Sequence, residues 1–237
     1  MAKIPKHTII FIISLLLVLS LLGYSIWYYK NSGSYSGKII GPHYLYPAET
    51  ITIYGAKIEL MAKDNPDKFS AISDIHGNFI FKNIPLKNYT LTISPYKGNS
   101  IYYEPFTTDL DMKFFKTTNT PITFTLALKP EVIRDIGRLD DFMLIFIPGL
   151  RDYKNKYGHY PNVKEEVVTN EGPLIKALKP FINPEYTVNP SAGYKYFYSA
   201  IANGQGYILK AQSESGIDRG NFLKEENGQK FYIFEVK

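Results

Sequence analysis

The sequence predicts three parts: a single N-terminal transmembrane helix, an all-β sandwich domain and a C-terminal α+β domain in which a long helix packs on a small antiparallel sheet. Three observations predict them: an uncharged apolar run, then short alternating runs, then a helical apolar stripe followed by tyrosine-rich alternating runs. The predicted boundaries are 1–30 for the anchor, 31–35 for a polar tether, 36–130 for the sandwich and 131–237 for the α+β domain.

Composition and charge exclude several classes of protein. The chain has 237 residues, 27 of them basic and 22 acidic, and no cysteine. Without cysteine it has no disulfide, no thiolate metal ligand and no cysteine nucleophile. Residues 1–30 hold three lysines and no acid, whereas residues 131–237 hold fourteen basic and fourteen acidic side chains. No folded segment carries the basic stripe of a nucleic-acid-binding domain, so no nucleic-acid partner is expected.

The N-terminal run at residues 8–29 predicts a membrane anchor. It is 22 residues long without a charge, and a helix of that length spans about 33 Å, enough for a bilayer core. Lys3 and Lys6 precede the run and favour a cytoplasmic N-terminus with the bulk of the chain extracytoplasmic. The far end holds interfacial aromatic residues, namely Tyr24, Trp27, Tyr28 and Tyr29. The bilayer is thus the first expected partner, in a single-pass arrangement.

A cleaved signal peptide is the alternative interpretation of the same run. Gly23 and Ser25 are small residues of the kind that precede a cleavage site. Against this, the apolar run is long for a signal peptide. In both cases the remainder of the chain is exported.

Short runs of alternating apolar and polar residues fill most of residues 36–130. Three of them span residues 56–62, 89–93 and 122–128, and a fourth, at 79–81, follows a turn-forming stretch. Regularly spaced short strands with turns between them are typical of an antiparallel sandwich. One face of each strand is expected in the core and the other in water.

Residues in this segment also carry a family resemblance. The stretches are 37–40 (GKII), 55–60 (GAKIEL), 73–85 (SDIHGNFIFKNIP) and 89–91 (YTL). They resemble the carboxypeptidase regulatory-like, transthyretin-type domain, except that Lys87 stands where that family usually has glycine. The resemblance implies a structural or interaction module and no peptidase activity.

The C-terminal part begins with a helical pattern. Its apolar residues recur at steps of four and three: Val132, Ile136, Leu139, Met143, Phe146, Leu150, Tyr153 and Tyr157. Pro148 predicts a kink or two abutting helices near Ile147, because proline cannot donate a helical hydrogen bond. Gly158 predicts the helix end. A short helix is expected within 172–182, and strands are expected at 194–198, 207–211 and 231–236.

This order resembles the headpiece of type IV pilin-like proteins, above all the major pseudopilin of type II secretion systems. The resemblance rests on residues 150–161 (LRDYKNKYGHYP), 190–196 (PSAGYKY) and 206–211 (GYILKA). Unlike pilin-like proteins, this chain has no acid in its apolar helix and places a sandwich between that helix and the headpiece. We therefore expect it to remain in the membrane and not to polymerise through its N-terminal helix.

One loop is a candidate calcium site, and the resemblance implies it, since major pseudopilins place a calcium-holding loop there. Its oxygen-bearing candidates are Glu214, Asp218 and Asn221, and Arg219 between them opposes a cation. Calcium requires six to eight oxygens, and Asp, Asn and Ser are also ordinary turn formers. The expectation is accordingly no cofactor, with calcium as the one open alternative.

No pattern in the sequence predicts a catalytic site. Ser94 and Lys97 fit S-x-x-K, but the serine ends a predicted strand and the partner motifs of that enzyme class are missing. The four histidines, His7, His43, His76 and His159, show no i, i+4 spacing that would predict a zinc site.

The sequence therefore predicts a non-enzymatic, membrane-anchored extracytoplasmic scaffold or interaction protein of the cell envelope, with other envelope proteins as partners. One alternative is an accessory component of a type IV pilus or of a type II secretion-like machine. Another is a glycan-binding surface protein, in which exposed tyrosines stack on sugars. The sequence favours packing of the sheet against the helix as the role of most tyrosines.

Overall fold

The computed structural model describes residues 6–112, 121–163, 166–183, 195–218 and 220–237 and, in the first helix, the side chains of residues 10–27. Sequence predictions that concern Lys3, Arg219 and residues 190–194 lie outside the described residues. The chain divides into two compact units. The first comprises Met1–Gly41, Thr50–Ser100 and Glu104–Leu126, and the second comprises Pro42–Glu49, Ile101–Tyr103 and Ala127–Lys237.

The first helix, α1 (Lys6–Lys30), is long and apolar enough to cross a membrane. Its window Ile10–Trp27 has a mean hydropathy of 2.4, and none of that window is buried in the protein. A signal sequence would have the same properties. Tyr24 and Trp27 are both exposed, with ring centroids 6.1 Å apart.

The first strand starts earlier than the sequence predicts. A polar tether is predicted at residues 31–35, but β1 (Ser32–Pro42) already begins at Ser32 and pairs there with Pro85. Tyr35 is fully buried within the predicted tether. Tyrosine favours strands, and the burial of Tyr35 in the core extends β1 into this stretch although glycine is a weak strand former. Asn31 alone separates the helix from the strand.

Two sheets form a sandwich in the first unit. The remaining strands are β2 (Thr50–Thr52), β3 (Lys57–Ala62), β4 (Lys68–Ile72), β5 (Asn78–Pro85), β6 (Asn88–Ser94), β7 (Phe106–Asp111) and β8 (Ile122–Thr125). One sheet has the order β2-β1-β5, with β8 also pairing with β1, and the other has the order β4-β3-β6-β7. Inward residues such as Ile58, Leu91 and Ile93 are fully buried. Each such side chain contributes about 1.5–3 kcal/mol to stability.

The second unit begins with a helix that changes its winding near Pro148. The α-helix α2 (Pro130–Asp141) passes into a π-helical segment, Phe142–Phe146, and then into α3 (Ile147–Tyr157). The Ile147 N–H donates to the Phe142 carbonyl, five residues back. Pro148 has no N–H to donate, so the regular α-helical hydrogen bonds are interrupted there. The wider π-helical turn lies directly before this interruption. Gly158 ends the helix with φ 78°, as the sequence predicts.

The π-helical segment also corrects the predicted apolar stripe. Phe142 and Ile145 are buried, whereas Met143, which the stripe includes, is 49% exposed. The wider turn rotates the helix surface, so the residue before Met143 meets the core. Tyr157 is likewise exposed, because it lies in the last turn before Gly158.

In the described residues, five antiparallel strands and one short helix complete the second unit. The strands are β9 (Glu166–Val168), β10 (Tyr196–Ile201), β11 (Gly206–Gln212), β12 (Leu223–Glu226) and β13 (Gln229–Val236), and the helix α4 (Pro173–Leu178) lies between β9 and β10. The sheet order is β12-β13-β11-β10-β9. Its inner face holds four buried tyrosines, Tyr196, Tyr198, Tyr207 and Tyr232. The Tyr196 ring lies 5.6 Å from Phe146 and 6.0 Å from Phe142. For Tyr196, packing of the sheet against the helix is confirmed, and the Tyr232 hydroxyl also reaches the helix through Asp135 at 3.1 Å.

Candidate functional site

The sandwich has one end at α1 and one end away from it. The pairing of Ser32 with Pro85 marks the end at α1. Strand β6 starts three residues after Pro85 and ends at Ser94. Ser94 pairs with Lys57 of β3, and Lys57 pairs on the opposite side of β3 with Ile72 of β4. Ser94, Lys57 and Ile72 therefore mark the end of the sandwich that is remote from the helix.

A groove of about 800 Å³ lies at this remote end, and we call it the Tyr96 groove. Its lining residues are Gly55, Lys57, Ser70, Ala71, Ile72, Ser94, Pro95, Tyr96 and Lys97. Tyr96 and Ile72 supply the apolar walls and are 57% and 70% exposed. Two serines and two lysines supply hydroxyl and ammonium groups. Large apolar side chains that stay exposed beside polar groups are typical of a binding surface.

Local hydrogen bonds fix the position of Tyr96. Its carbonyl accepts the N–H groups of Asn99 at 2.7 Å and of Ser100 at 2.8 Å, which closes the turn after β6. Gly55 has a φ of +72° and lies next to Tyr96. A Cβ at position 55 would stand 3.3 Å from the Cβ of Tyr96. The glycine therefore admits both the positive φ and the close approach of the aromatic residue.

A buried serine joins two of the loops that form this end. The Ser73 hydroxyl donates to the Ile53 carbonyl at 2.8 Å and accepts the Ala56 N–H at 2.9 Å. Ser73 is 2% exposed and stands between β4 and β5, whereas its two partners flank the loop before β3. These two hydrogen bonds fix the loop before β3, which contributes Gly55 to the lining of the Tyr96 groove.

Charges in and beside the groove are mainly positive. Lys57 lies 2.8 Å from Glu59, and Lys68 lies 2.6 Å from the same carboxylate. The hydrogen bond from Lys57, followed by the one from Lys68, lowers the pKa of Glu59. Lys97 adds a further ammonium group to the lining. The groove can bind a ligand with a flat or apolar face that also bears hydroxyl or anionic groups.

The S-x-x-K residues both line this groove, but not in the arrangement of an acylating enzyme. Ser94 is the last residue of β6 and Lys97 lies in the turn that follows. That chemistry places the serine at the start of a helix, with the lysine one turn further along.

The candidate calcium loop is bound to the helix by arginines. Glu214 forms ion pairs with both Arg134 and Arg138. The hydrogen bond from Arg134 is the main cause that lowers the pKa of Glu214. Asp218 accepts the Leu223 N–H at 3.4 Å, and Asn221 has a positive φ of 63°. A cation bound by Glu214 would have to displace two guanidinium groups.

Asp135 anchors the same loop and is fully buried. Its carboxylate accepts the Ser215 N–H at 2.8 Å and the Ser215 hydroxyl at 2.6 Å, and it also accepts the Glu214 N–H. The Ser213 hydroxyl adds a bond of 2.9 Å, and Arg138 supplies the opposite charge. Buried charges persist when they are paired and hydrogen-bonded in this way. We call these residues the Asp135 network.

No sequence motif marks the Asp135 network, although a signal for it is present. Asp135 lies three residues after Val132 and one before Ile136, on the face predicted to be apolar. A charged residue on that face needs a buried partner, and Arg138 three residues later can supply it.

In the described parts of the chain, the histidine side chains do not form a cluster. His43 accepts the N–H groups of Leu45 and Tyr46 at its Nδ1, and it stacks on Tyr44 at 5.1 Å. His76 is exposed in a turn, and the His159 ring lies 2.8 Å from the Tyr160 carbonyl. Among the described residues, no three His, Asp or Glu side chains converge on a possible metal position.

No protein-family model matches the chain, and no curated protein matches its sequence. Solved structures with some likeness include a candidate carbohydrate-binding protein from Pseudomonas aeruginosa, at 14% identity and a TM-score of 0.27 over 41% of this chain and 88% of that one. Another is the Bacillus anthracis TIE protein, at 12% identity and 0.33 over 87% of this chain and 31% of that one. A third is a DUF3823 family protein from Parabacteroides merdae, at 19% identity and 0.24 over 41% of this chain and 47% of that one.

Proposed function

We propose that this chain is a membrane-anchored extracytoplasmic protein that binds other molecules of the cell envelope and catalyses no reaction. One observation carries the proposal: α1 is long, apolar and entirely unburied by the rest of the chain. In water such a surface would be strongly unfavourable, so a bilayer is its natural environment. Lys3 and Lys6, which precede the helix, support a cytoplasmic N-terminus.

The absence of cysteine permits a sharp test of this topology. Single cysteines are introduced as Ile75→Cys and Lys224→Cys, both at exposed positions, and as Ala2→Cys at the N-terminus. A membrane-impermeant maleimide should label the first two on intact spheroplasts and the third only after lysis. Label on Ala2→Cys alone would reverse the orientation. A mature chain that lacks residues 1–25 would establish a signal peptide instead.

The finer family assignments belong to the same proposal. We infer a carboxypeptidase regulatory-like role for the sandwich, as a structural or interaction module, and a pilin-like headpiece in the second unit. The order of a long helix followed by antiparallel strands supports the headpiece assignment. Membership of a pilus or secretion machine as an accessory component is tested by co-expression with a pilin-processing peptidase and shearing of the cells. This chain should stay in the membrane fraction, and filaments built from it would place it among the pilins.

A second candidate function is glycan binding, which the Tyr96 groove favours. An exposed aromatic ring beside serine hydroxyls and lysine ammonium groups can stack on a sugar and bind its hydroxyl or carboxylate groups. Residues 32–237 would be applied to an array of neutral and acidic glycans. Tyr96→Ala should abolish binding, whereas Tyr46→Ala, at an exposed tyrosine outside the lining of the groove, should leave it intact. Binding that survives Tyr96→Ala would locate the glycan site elsewhere.

A further inference from the structure

Two tyrosines that are far apart in sequence stack face to face in the second unit. The ring centroids of Tyr44 and Tyr102 lie 4.1 Å apart, and the ring planes differ by 11°. Among the tyrosine pairs in the described part of the chain, this distance is the shortest. Tyr44 belongs to the loop after β1, and Tyr102 belongs to the segment between β6 and β7. We call them the Tyr44–Tyr102 pair.

Neighbouring contacts hold both rings of the pair in position. Tyr103, which follows Tyr102, donates its hydroxyl to the Pro42 carbonyl at 2.6 Å, and this bond joins the two segments. The His43 ring also stacks on Tyr44, with centroids 5.1 Å apart and planes that differ by 11°. The two phenol rings are therefore brought together by the fold, which removes most of the entropic cost of a reaction between them.

The phenol groups of the pair lie close to each other and can be reached from solvent. Both side chains are partly exposed. Burial is the main cause that raises the pKa of Tyr102, and interactions with the Tyr44 hydroxyl raise it further. The two hydroxyl groups are therefore near each other, and so are the ring carbons beside them. Stacked rings in this arrangement present the carbons ortho to each hydroxyl to one another.

We propose that the Tyr44–Tyr102 pair is a site of oxidative cross-linking, at which hydrogen peroxide and a peroxidase join the two rings as dityrosine. The oxidant removes one hydrogen atom from each phenol. The two phenoxyl radicals then form a bond between ring carbons ortho to the oxygens, and face-to-face stacking supplies the orbital overlap for this step. The hydrogen on each of these carbons moves to the oxygen of its own ring, which restores both phenols. The chain loses two hydrogen atoms in all, and the peroxide is reduced to two water molecules.

The cross-link takes the place of a disulfide in a chain that has no cysteine. It joins the loop after β1 to the segment before β7, and a covalent bond that closes a long loop restricts the unfolded state. At the extracytoplasmic location proposed above, the cytosolic reductants that keep thiols reduced are missing. The inference goes beyond the proposed function, which assigns no covalent modification to the chain.

The test treats the full chain in detergent with hydrogen peroxide and a peroxidase, at a protein concentration low enough to keep the chains apart. The product should run as a monomer on a denaturing gel, fluoresce as dityrosine and weigh two hydrogen atoms less. Proteolytic digestion should release one joined peptide that contains both tyrosines of the pair. Tyr44→Phe and Tyr102→Phe keep the stacked rings but cannot form the radical, so each should abolish this peptide. Tyr46→Phe, in the same loop, is the matched control and should keep its yield within about twofold.

The melting temperature provides a second measurement. The cross-linked chain should melt about 5 °C or more above the untreated chain, and treated Tyr44→Phe should show no such gain. An equal melting temperature before and after cross-linking would contradict the role as a substitute for a disulfide. Coupling between Tyr153 and Tyr157 instead, whose centroids lie 4.6 Å apart at 50°, would overturn the proposal, as would coupling between chains or no product at all. None of these results depends on the orientation of α1 or on glycan binding, so this inference and the proposed function fail separately.

Discussion

Tyr35 and Tyr103 are buried tyrosines whose hydroxyl groups have different surroundings. The Tyr103 hydroxyl donates to the Pro42 carbonyl at 2.6 Å, whereas the Tyr35 hydroxyl has no hydrogen-bond partner among the described residues. Burial raises the pKa of each phenol to about 12. An unpaired buried hydroxyl costs free energy, so its removal and the removal of a bonded hydroxyl should have opposite effects.

We therefore expect Tyr35→Phe to leave the free energy of unfolding unchanged or to raise it by about 1 kcal/mol, and Tyr103→Phe to lower it by about 1 kcal/mol. Urea denaturation of residues 31–237 measures both variants under the same conditions. A clear loss of stability in Tyr35→Phe would mean that its hydroxyl is bonded.

Glu214 should make the stability of the second unit depend on pH. The arginine pairs lower its pKa in the folded state. Its contribution is thus complete above the unfolded pKa of about 4.3 and is lost as the pH falls through the lower folded pKa. Glu214→Gln should melt at a lower temperature at pH 7 and lose less on acidification from pH 5 to pH 3. Glu226→Gln, which removes a solvent-exposed pair with Lys210, is the control and should follow the unmodified chain.

Calcium should have little effect on this chain, because Glu214 is already paired with two arginines. We expect millimolar calcium, or a chelator, to change the melting temperature of residues 31–237 by less than about 1 °C, since a ligand that does not bind the folded state does not stabilise it. If calcium raised the melting temperature and Asp218→Ala abolished that increase, the loop that contains Glu214, Asp218 and Asn221 would be a calcium site.

At the scale of elements, the π-helical segment decides which face of the long helix meets the sheet. Phe142 is 2% exposed and Met143 is 49% exposed, although a regular helix would bury Met143. Phe142→Ala should destabilise the second unit by about 3–5 kcal/mol through the cavity it creates. Met143→Ala should cost less than about 0.5 kcal/mol, as at other surface positions. Similar losses in both, measured by urea denaturation, would argue for a regular helix in solution.

The sequence predicts the central strands well and the edge strands poorly. Strands β3, β6 and β11 bury alternate side chains, and that alternation is visible in the sequence. β4 and β12 have weak apolar patterns because an edge strand covers little of the core. The sequence pattern therefore does not predict a strand at residues 68–72, although Ser70, Ala71 and Ile72 line the Tyr96 groove.

The Tyr96 groove could not be predicted for a related reason. Its walls come from the loop before β3, the end of β4 and the turn after β6, which are distant in sequence. No local motif marks such a site, because each contributing residue is an ordinary turn or strand residue by itself. The sequence does place Ser94 at the end of a predicted strand, and only the strand registers bring Ile72 beside the residues that follow it.

At the scale of the whole molecule, α1 should contribute nothing to the folding of the remainder. None of the window Ile10–Trp27 is buried in the protein. We expect residues 31–237 to be soluble and to melt within about 2 °C of the full chain in mild detergent, since no apolar contact is lost. A large drop in melting temperature on removal of α1 would show that the helix packs on the folded part, and would contradict a role as anchor alone.

The junction at Asn31 limits how freely the first strand can move relative to α1. The Asn31 side chain and N–H both donate to the Trp27 carbonyl, at 2.8 and 3.0 Å, and its own carbonyl accepts the Leu86 N–H at 2.9 Å. Helix and first strand are thus joined without a hinge, and β1 extends for about 36 Å at the usual rise of a strand. Such a junction restricts the movement of the first strand relative to the helix more than a flexible tether would. With α1 in a bilayer, as proposed above, the remote end of β1 would stay within a narrow range of distances from the membrane surface, and a molecule that binds there would have to reach that distance.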